Sequence, residues 1–343
     1  TAASTCSDLS GATSSTYVLT NSEVSKYMRV TVSYTDDQST AESVNSAIST
    51  VIGNVNDAAS ISGANTGAVT EDASSPATGT PTVTDIDSGE DTLLAVNAGT
   101  ASVSGYGTFG VASGEWTYTL DDSDSTVNAL IAGASLSDTF VVTSADSTDT
   151  MTVTITITGA NDAATFGGAI TGGATEDTSD AAGTATVTDT DTSQSTFTAV
   201  STETASVSGY GTYTITSGGV WAYTLTDSNS AVQALALAAT MSDTFVVTSS
   251  DGTAQTITIT ITGINDAATI GGTSTGGATE DTSDGSGTLT VADTDTNEAT
   301  FTAVSTETAS VSGYGTYTIT SGGVWAYTLT DSNSAVQALA LAA

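Results

Sequence analysis

The side chains able to do chemistry in this sequence are carboxylates, and they recur in fixed groups. Asp85 and Asp87 stand two apart, and the same D-x-D spacing returns at Asp189/Asp191 and Asp293/Asp295. Asn56-Asp57 returns as Asn161-Asp162 and Asn265-Asp266, and Glu71-Asp72 as Glu176-Asp177 and Glu280-Asp281. Asp146 and Asp251 each fall in a turn before a threonine-rich alternating run. Two aspartates at i and i+2, leaving a strand, can bend toward one ion from a loop. Calcium takes roughly six to eight hard oxygen ligands, carboxylates and carbonyls among them. Zinc and copper fit poorly, because the chain has no histidine and a single cysteine, Cys6. The competing reading is that acidic residues in turns are solvated turn formers.

The charge balance excludes many other functions. Against 38 carboxylates stand two bases, Lys26 and Arg29, for a formal charge of −36. A nucleic-acid binder needs Lys and Arg to displace counterions from phosphate, and this chain lacks them. Anionic substrates and anionic membrane surfaces would meet a repelling field. No apolar run approaches the ~20 residues of a membrane span. Paired carboxylates also suit glycoside hydrolysis. Here the pairs recur at domain ends instead of marking one unique cleft, so the chain reads as not an enzyme. The SGYGT runs have a G-x-G without a following helix, which argues against a phosphate cradle. One cysteine allows no intrachain disulfide, and metal is the remaining way to staple the domains.

These carboxylates must be positioned by repeated β-structure. Trp116, Trp221 and Trp325 occupy equivalent settings, GEWTYTL, GVWAYTL and GVWAYTL, 105 and 104 residues apart. Residues 196–239 and 300–343 are identical over 44 positions. A period near 104 is too long for a solenoid unit and suits a string of domains, each with its own core. Met151, Val153, Ile155 and Ile157 alternate with threonines, as do Ile257, Ile259 and Ile261. Trp221, Tyr223 and Leu225 alternate likewise, which places the tryptophans in a core. Short alternating strands separated by glycine-bearing turns predict a β-sandwich. One short helix is expected within 230–237.

The run GTATVTDTD, FTAVSTETASVSGYGTYTITSGGVWAYTL, MSDTF, SSDGT and TITITITGINDA resembles the VCBS repeat, found in tandem in large secreted bacterial adhesins and surface fibres. The resemblance covers about 58–343. It departs at the linker, where NDAA stands in place of the NDAP of many relatives. It implies an all-β fold of tandem Ig/cadherin-like β-sandwich domains strung end to end. Residues 1–57 read as the C-terminal part of an Ig-like repeat, 58–162 and 163–266 as VCBS-like repeats, and 267–343 as the N-terminal part of another. The ends are expected to be either a window on a longer chain or partners in strand exchange between subunits.

The resemblance further implies an extracellular chain, at a cell surface or in a secreted matrix, that uses calcium. The metal candidates are Asn56, Asp57, Glu71, Asp85, Asp87, Asp146, Asn161, Asp162, Glu176, Asp189, Asp191, Asp251, Asn265, Asp266, Asp293 and Asp295. The arrangement is similar to cadherin junctions, where a D-x-D pair, a linker Asn-Asp and a glutamate of the preceding domain share ions. Asp138 and Asp243 are placed at the lower end of their domains. The expected role is a fibre, adhesin stalk or biofilm filament stiffened by calcium. The alternative is an adhesive module that itself holds a polysaccharide or host surface. Expected partners are copies of the chain or adjoining repeats, and surface polysaccharide, with no nucleic acid.

Overall fold

The structure, a computed structural model, describes residues 6–339. It divides into two units, Thr1–Asn161 and Asp162–Ala343. The protein is all-β, with tandem sandwich domains.

In the first unit the strand Thr150–Thr158 shows why this sequence makes sheet. Val153, Ile155 and Ile157 are fully buried, while the intervening threonines face outward. That period of two is the signature of a half-buried strand, and threonine suits the open face. The strand pairs antiparallel with Ser135–Thr143 and parallel with Thr66–Thr70. A second sheet runs in the order Ala77–Gly79, Glu115–Leu120, Gly107–Ala112, Val96–Ala101. Trp116, Tyr118, Phe140 and Ile155 share one buried cluster between the sheets. Ahead of this sandwich, Thr31–Thr35 pairs with Ala41–Asn45 in a hairpin whose Val32, Tyr34 and Val44 are exposed.

The second unit repeats the plan. A five-stranded sheet runs Thr165–Gly168, Ala181–Thr188, Val220–Leu225, Gly211–Ile215, Val200–Ala205. It faces a three-stranded sheet of Thr171–Thr175, Ala254–Thr262 and Thr240–Thr248. Trp221 is wholly buried, meets Phe245 edge-on at 5.8 Å between centroids, and donates its indole N–H to the Ala169 carbonyl at 2.7 Å. Glycine at 183 is required by this packing, because a Cβ there would lie 2.6 Å from Trp221 Cζ2. A further five-stranded sheet follows: Thr269–Gly272, Gly285–Ala292, Val324–Leu329, Gly315–Ile319, Val304–Ala309. Among the described residues, no second sheet covers its Trp325 face.

Asp138 and Asp243 are not at a domain end. Each lies inside a nine-residue strand and is fully buried. Asp243 accepts hydrogen bonds from the hydroxyls of Ser206 and Tyr223 and from the amides of Ser208 and Thr244. Asp138 does the same with Ser102, Tyr118, Ser104 and Thr139. Burial pushes both carboxyl pKa values up, but the donated bonds outweigh it and hold them below the usual range. Burial and the neighbouring aspartate push the phenols of Tyr118 and Tyr223 up.

An acid dependence follows from these depressed values. A carboxyl with a lowered folded pKa adds stability above its unfolded pKa, and that stability disappears as pH falls through the folded value. Both sandwiches should therefore hold between neutrality and the ordinary aspartate range, then unfold as pH drops below it. Circular dichroism against pH checks this. Loss of near-ultraviolet signal already near pH 5 would contradict it.

Candidate metal centres

Each D-x-D pair closes a strand and is shaped by its own backbone. Asp85 Oδ1 accepts from the Asp87 amide at 2.7 Å, Asp189 Oδ1 from Asp191 at 2.9 Å, and Asp293 Oδ1 from Asp295 at 3.0 Å. The second aspartate then receives the linker. The amides of Asp57, Asp162 and Asp266 donate to Asp87, Asp191 and Asp295 Oδ2 at 2.7, 3.0 and 2.9 Å. These second aspartates are nearly inaccessible, at 5, 2 and 2% exposure.

The structure adds a residue type that the sequence reading missed. Glu90 and Glu298 lie three positions after the D-x-D pair, and their carboxylates come within 4.8 Å of the two aspartates. The signal was present as D-x-D-x-x-E, in DIDSGE and DTDTNE. It was obscured because the middle copy reads DTDTSQ, with Gln194 at that position.

Glu71 and Glu176 sit where the chain leaves a sandwich. The strands Thr66–Thr70 and Thr171–Thr175 run parallel to Thr150–Thr158 and Ala254–Thr262 there, so the Glu71 amide donates to the Thr158 carbonyl and the Glu176 amide to Thr262. Each carboxylate then turns to the outgoing linker. Glu71 accepts from the Ala160 amide at 3.0 Å, and Glu176 from Ile264 at 3.2 Å. The short helix Ser230–Gln233, capped by the Asn229 side chain, presents Gln233 to Glu176 Oε1 at 3.0 Å. Burial, Asp266, Asp177 and Asp295 push the Glu176 carboxyl up, against the Ile264 bond. Thus Glu176, Asp266 and Asp295 share one field within the second unit.

Asp146 and Asp251 brace turns. Asp251 accepts from Ser249, from the Thr253 hydroxyl and amide, and from the Ala164 amide at 3.3 Å. Asp146 accepts from Thr148 and from Asn56 Nδ2 at 3.1 Å. Hydroxyl donors hold the Asp146 carboxyl well below the usual range, and the Asp251 hydrogen bonds do the same against burial. Both tie a linker to a turn. Asn56 and Asn265 use their amide nitrogens on the carbonyls of Asp57 and Asp266. Asn161 ends the first unit and Asp162 opens the second.

The donor set fits a hard cation. Asp85 Oδ2, Glu90 Oε2, Asp189 Oδ2, Asp191 Oδ1, Asp266 Oδ2 and Asp295 Oδ1 are buried and have no hydrogen-bond partner. A buried ionised oxygen without a donor or counter-charge is costly. No Lys, Arg or His occurs after Arg29 to meet these atoms. Crowding already shows in Glu90, whose pKa burial, Asp87, Asp85 and Asp146 push up, and in Asp191, where burial with Asp189, Asp162 and Asp251 does so. All the candidate donors are oxygen, the ligand type of calcium and magnesium.

Residues 56–159 match the family model of the bacterial cadherin-like domain. No curated protein matches the chain. Similar solved structures include the protocadherin gamma B4 extracellular domain, at 14% identity and a TM-score of 0.43, covering 88% of this chain and 55% of that one. The chain thus spans about half the length of that structure. Protocadherin gamma B7 domains 1–4 give 14% identity and a TM-score of 0.44, with 86% and 72% covered. Mouse cadherin-23 EC22–24 gives 13% identity and 0.41, with 80% and 89% covered. No helix among the described residues is long and apolar enough to cross a membrane.

Proposed function

We propose that the chain is a segment of an extracellular fibre, adhesin stalk or matrix filament, built of VCBS-like repeats and held at its domain junctions by calcium. The repeats run 58–162 and 163–266, flanked by 1–57 and 267–343. One observation carries this reading. Glu176, at the exit of one sandwich, bonds the Ile264 amide of the linker and stands in the field of Asp266 and of Asp295, which lies in the loop after the strand Gly285–Ala292. Calcium would be held by Glu176, Asp266, Asp293, Asp295 and Glu298 at this junction. Asp57, Asp85, Asp87 and Glu90 would hold it within the first unit, and Asp162, Asp189 and Asp191 within the second. When bound, the ion supplies the positive charge that the side chains lack.

Extracellular calcium modules need only about 0.1–1 mM affinity. The role is mechanical, and its partners are adjoining repeats. Hydrogen exchange on the full chain tests it. With millimolar calcium, amides of residues 262–268 and 293–297 should exchange slowly. With chelator they should exchange freely, while the strands Thr240–Thr248 and Ala254–Thr262 stay protected. Equal uptake under both conditions would leave the carboxylates as solvated turn formers.

A further inference from the structure

We propose that the ion site headed by Asp189 and Asp191 is the weakest of the three, because Gln194 stands where the other two have glutamate, and that this site releases calcium first. The inference rests on the calcium reading above and concerns how its sites differ.

The three loops have the same backbone. The amides of Glu90, Gln194 and Glu298 all donate to the carbonyl of the second aspartate at 3.3 Å. Their carbonyls then accept from Thr92, Thr196 and Thr300 at 2.8, 2.7 and 2.6 Å. The side chains therefore leave from equivalent points. Glu90 Oε2 and Gln194 Oε1 are both buried without a hydrogen-bond partner. Asp191, only 2% exposed, has its Oδ1 in the same condition, as does Asp295. The middle site thus keeps an oxygen at this position but loses its charge.

A neutral amide oxygen can ligate calcium, so the substitution preserves a site while lowering its charge count. Charge count and rigidity are what tune calcium affinity across orders of magnitude. One carboxylate fewer should raise the half-saturating calcium concentration roughly tenfold. With unequal sites, the loop around Asp189 and Asp191 loosens before the other two as calcium falls.

Calcium chloride titration of the full chain, read by hydrogen exchange, tests this, because residues 83–92, 187–196 and 291–300 differ in sequence and report separately. The expected midpoint for 187–196 lies about tenfold above the other two. Gln194→Glu should bring it down to theirs, and Glu298→Gln should raise the midpoint of 291–300 by a similar factor. The second variant tests the same charge in the opposite direction should the first fold poorly. Coincident midpoints in the unsubstituted chain, or midpoints unmoved by either substitution, would overturn the graded sites while leaving calcium binding intact. No calcium-dependent protection at any of the three would overturn both readings.

Discussion

Replacing Asp243 with alanine is expected to cost the sandwich built around Trp221 about 3–5 kcal/mol, enough to unfold a marginal domain. The substitution removes the acceptor of the Tyr223 hydroxyl and of the Ser208 and Thr244 amides, while the Ser206 hydroxyl retains the Gly211 carbonyl at 2.9 Å. A buried donor left unmade costs about 1–3 kcal/mol, and the three losses share one site and do not add fully. Asp243→Asn keeps the volume but turns one acceptor into a donor, so an intermediate loss is expected. Thermal unfolding of the full chain should then show an early transition beside an unchanged one from the sandwich that keeps Asp138. A single transition shifted by less than about 1 kcal/mol would contradict the account of Asp243 as the polar centre of its core.

The second large effect changes sign with calcium. At a hundredfold excess over Kd, a bound ion stabilises by about 2.7 kcal/mol. Asp295→Asn retains an oxygen for the Asp266 amide but removes a charge from the cluster containing Glu176 and Asp266. In calcium the variant should therefore unfold more easily than the unsubstituted chain. In chelator it should be equal or slightly more stable, because like-charge repulsion has been relieved. Paired melting curves in the two buffers check this. The same shift in both would mean that Asp295 acts only through its hydrogen bond.

Much of the fold was legible because side-chain alternation has a period of two. The run from Met151 to Thr158 showed its buried and open faces directly, and Trp116 and Trp221 fell in the core as their alternation with Tyr118 and Tyr223 required. The short helix was placed at 230–237 and forms over Ser230–Gln233. The position of Asp138 and Asp243 was misread, because a charge beside a strand suggests an end. Only the fold shows that a tyrosine from another strand and a serine just past a strand end reach inward to bond it. Glu90 and Glu298 were missed for a different reason. A glutamate three residues beyond D-x-D in a loop has no periodicity to mark it, and its middle counterpart is glutamine. Glu71 and Glu176 were legible as repeated residues. Their hold on the outgoing linker depends on the parallel pairing of an early strand with the last one, a contact between positions far apart in sequence.

The central claim is that a cation joins Glu176 to Asp266 and Asp295. Crystals of the full chain grown in calcium, measured at a wavelength where calcium scatters anomalously, test it most directly. The account predicts an anomalous peak among these three carboxylates, with oxygens about 2.3–2.6 Å from it. No anomalous peak there, with water on the three carboxylates, would contradict it.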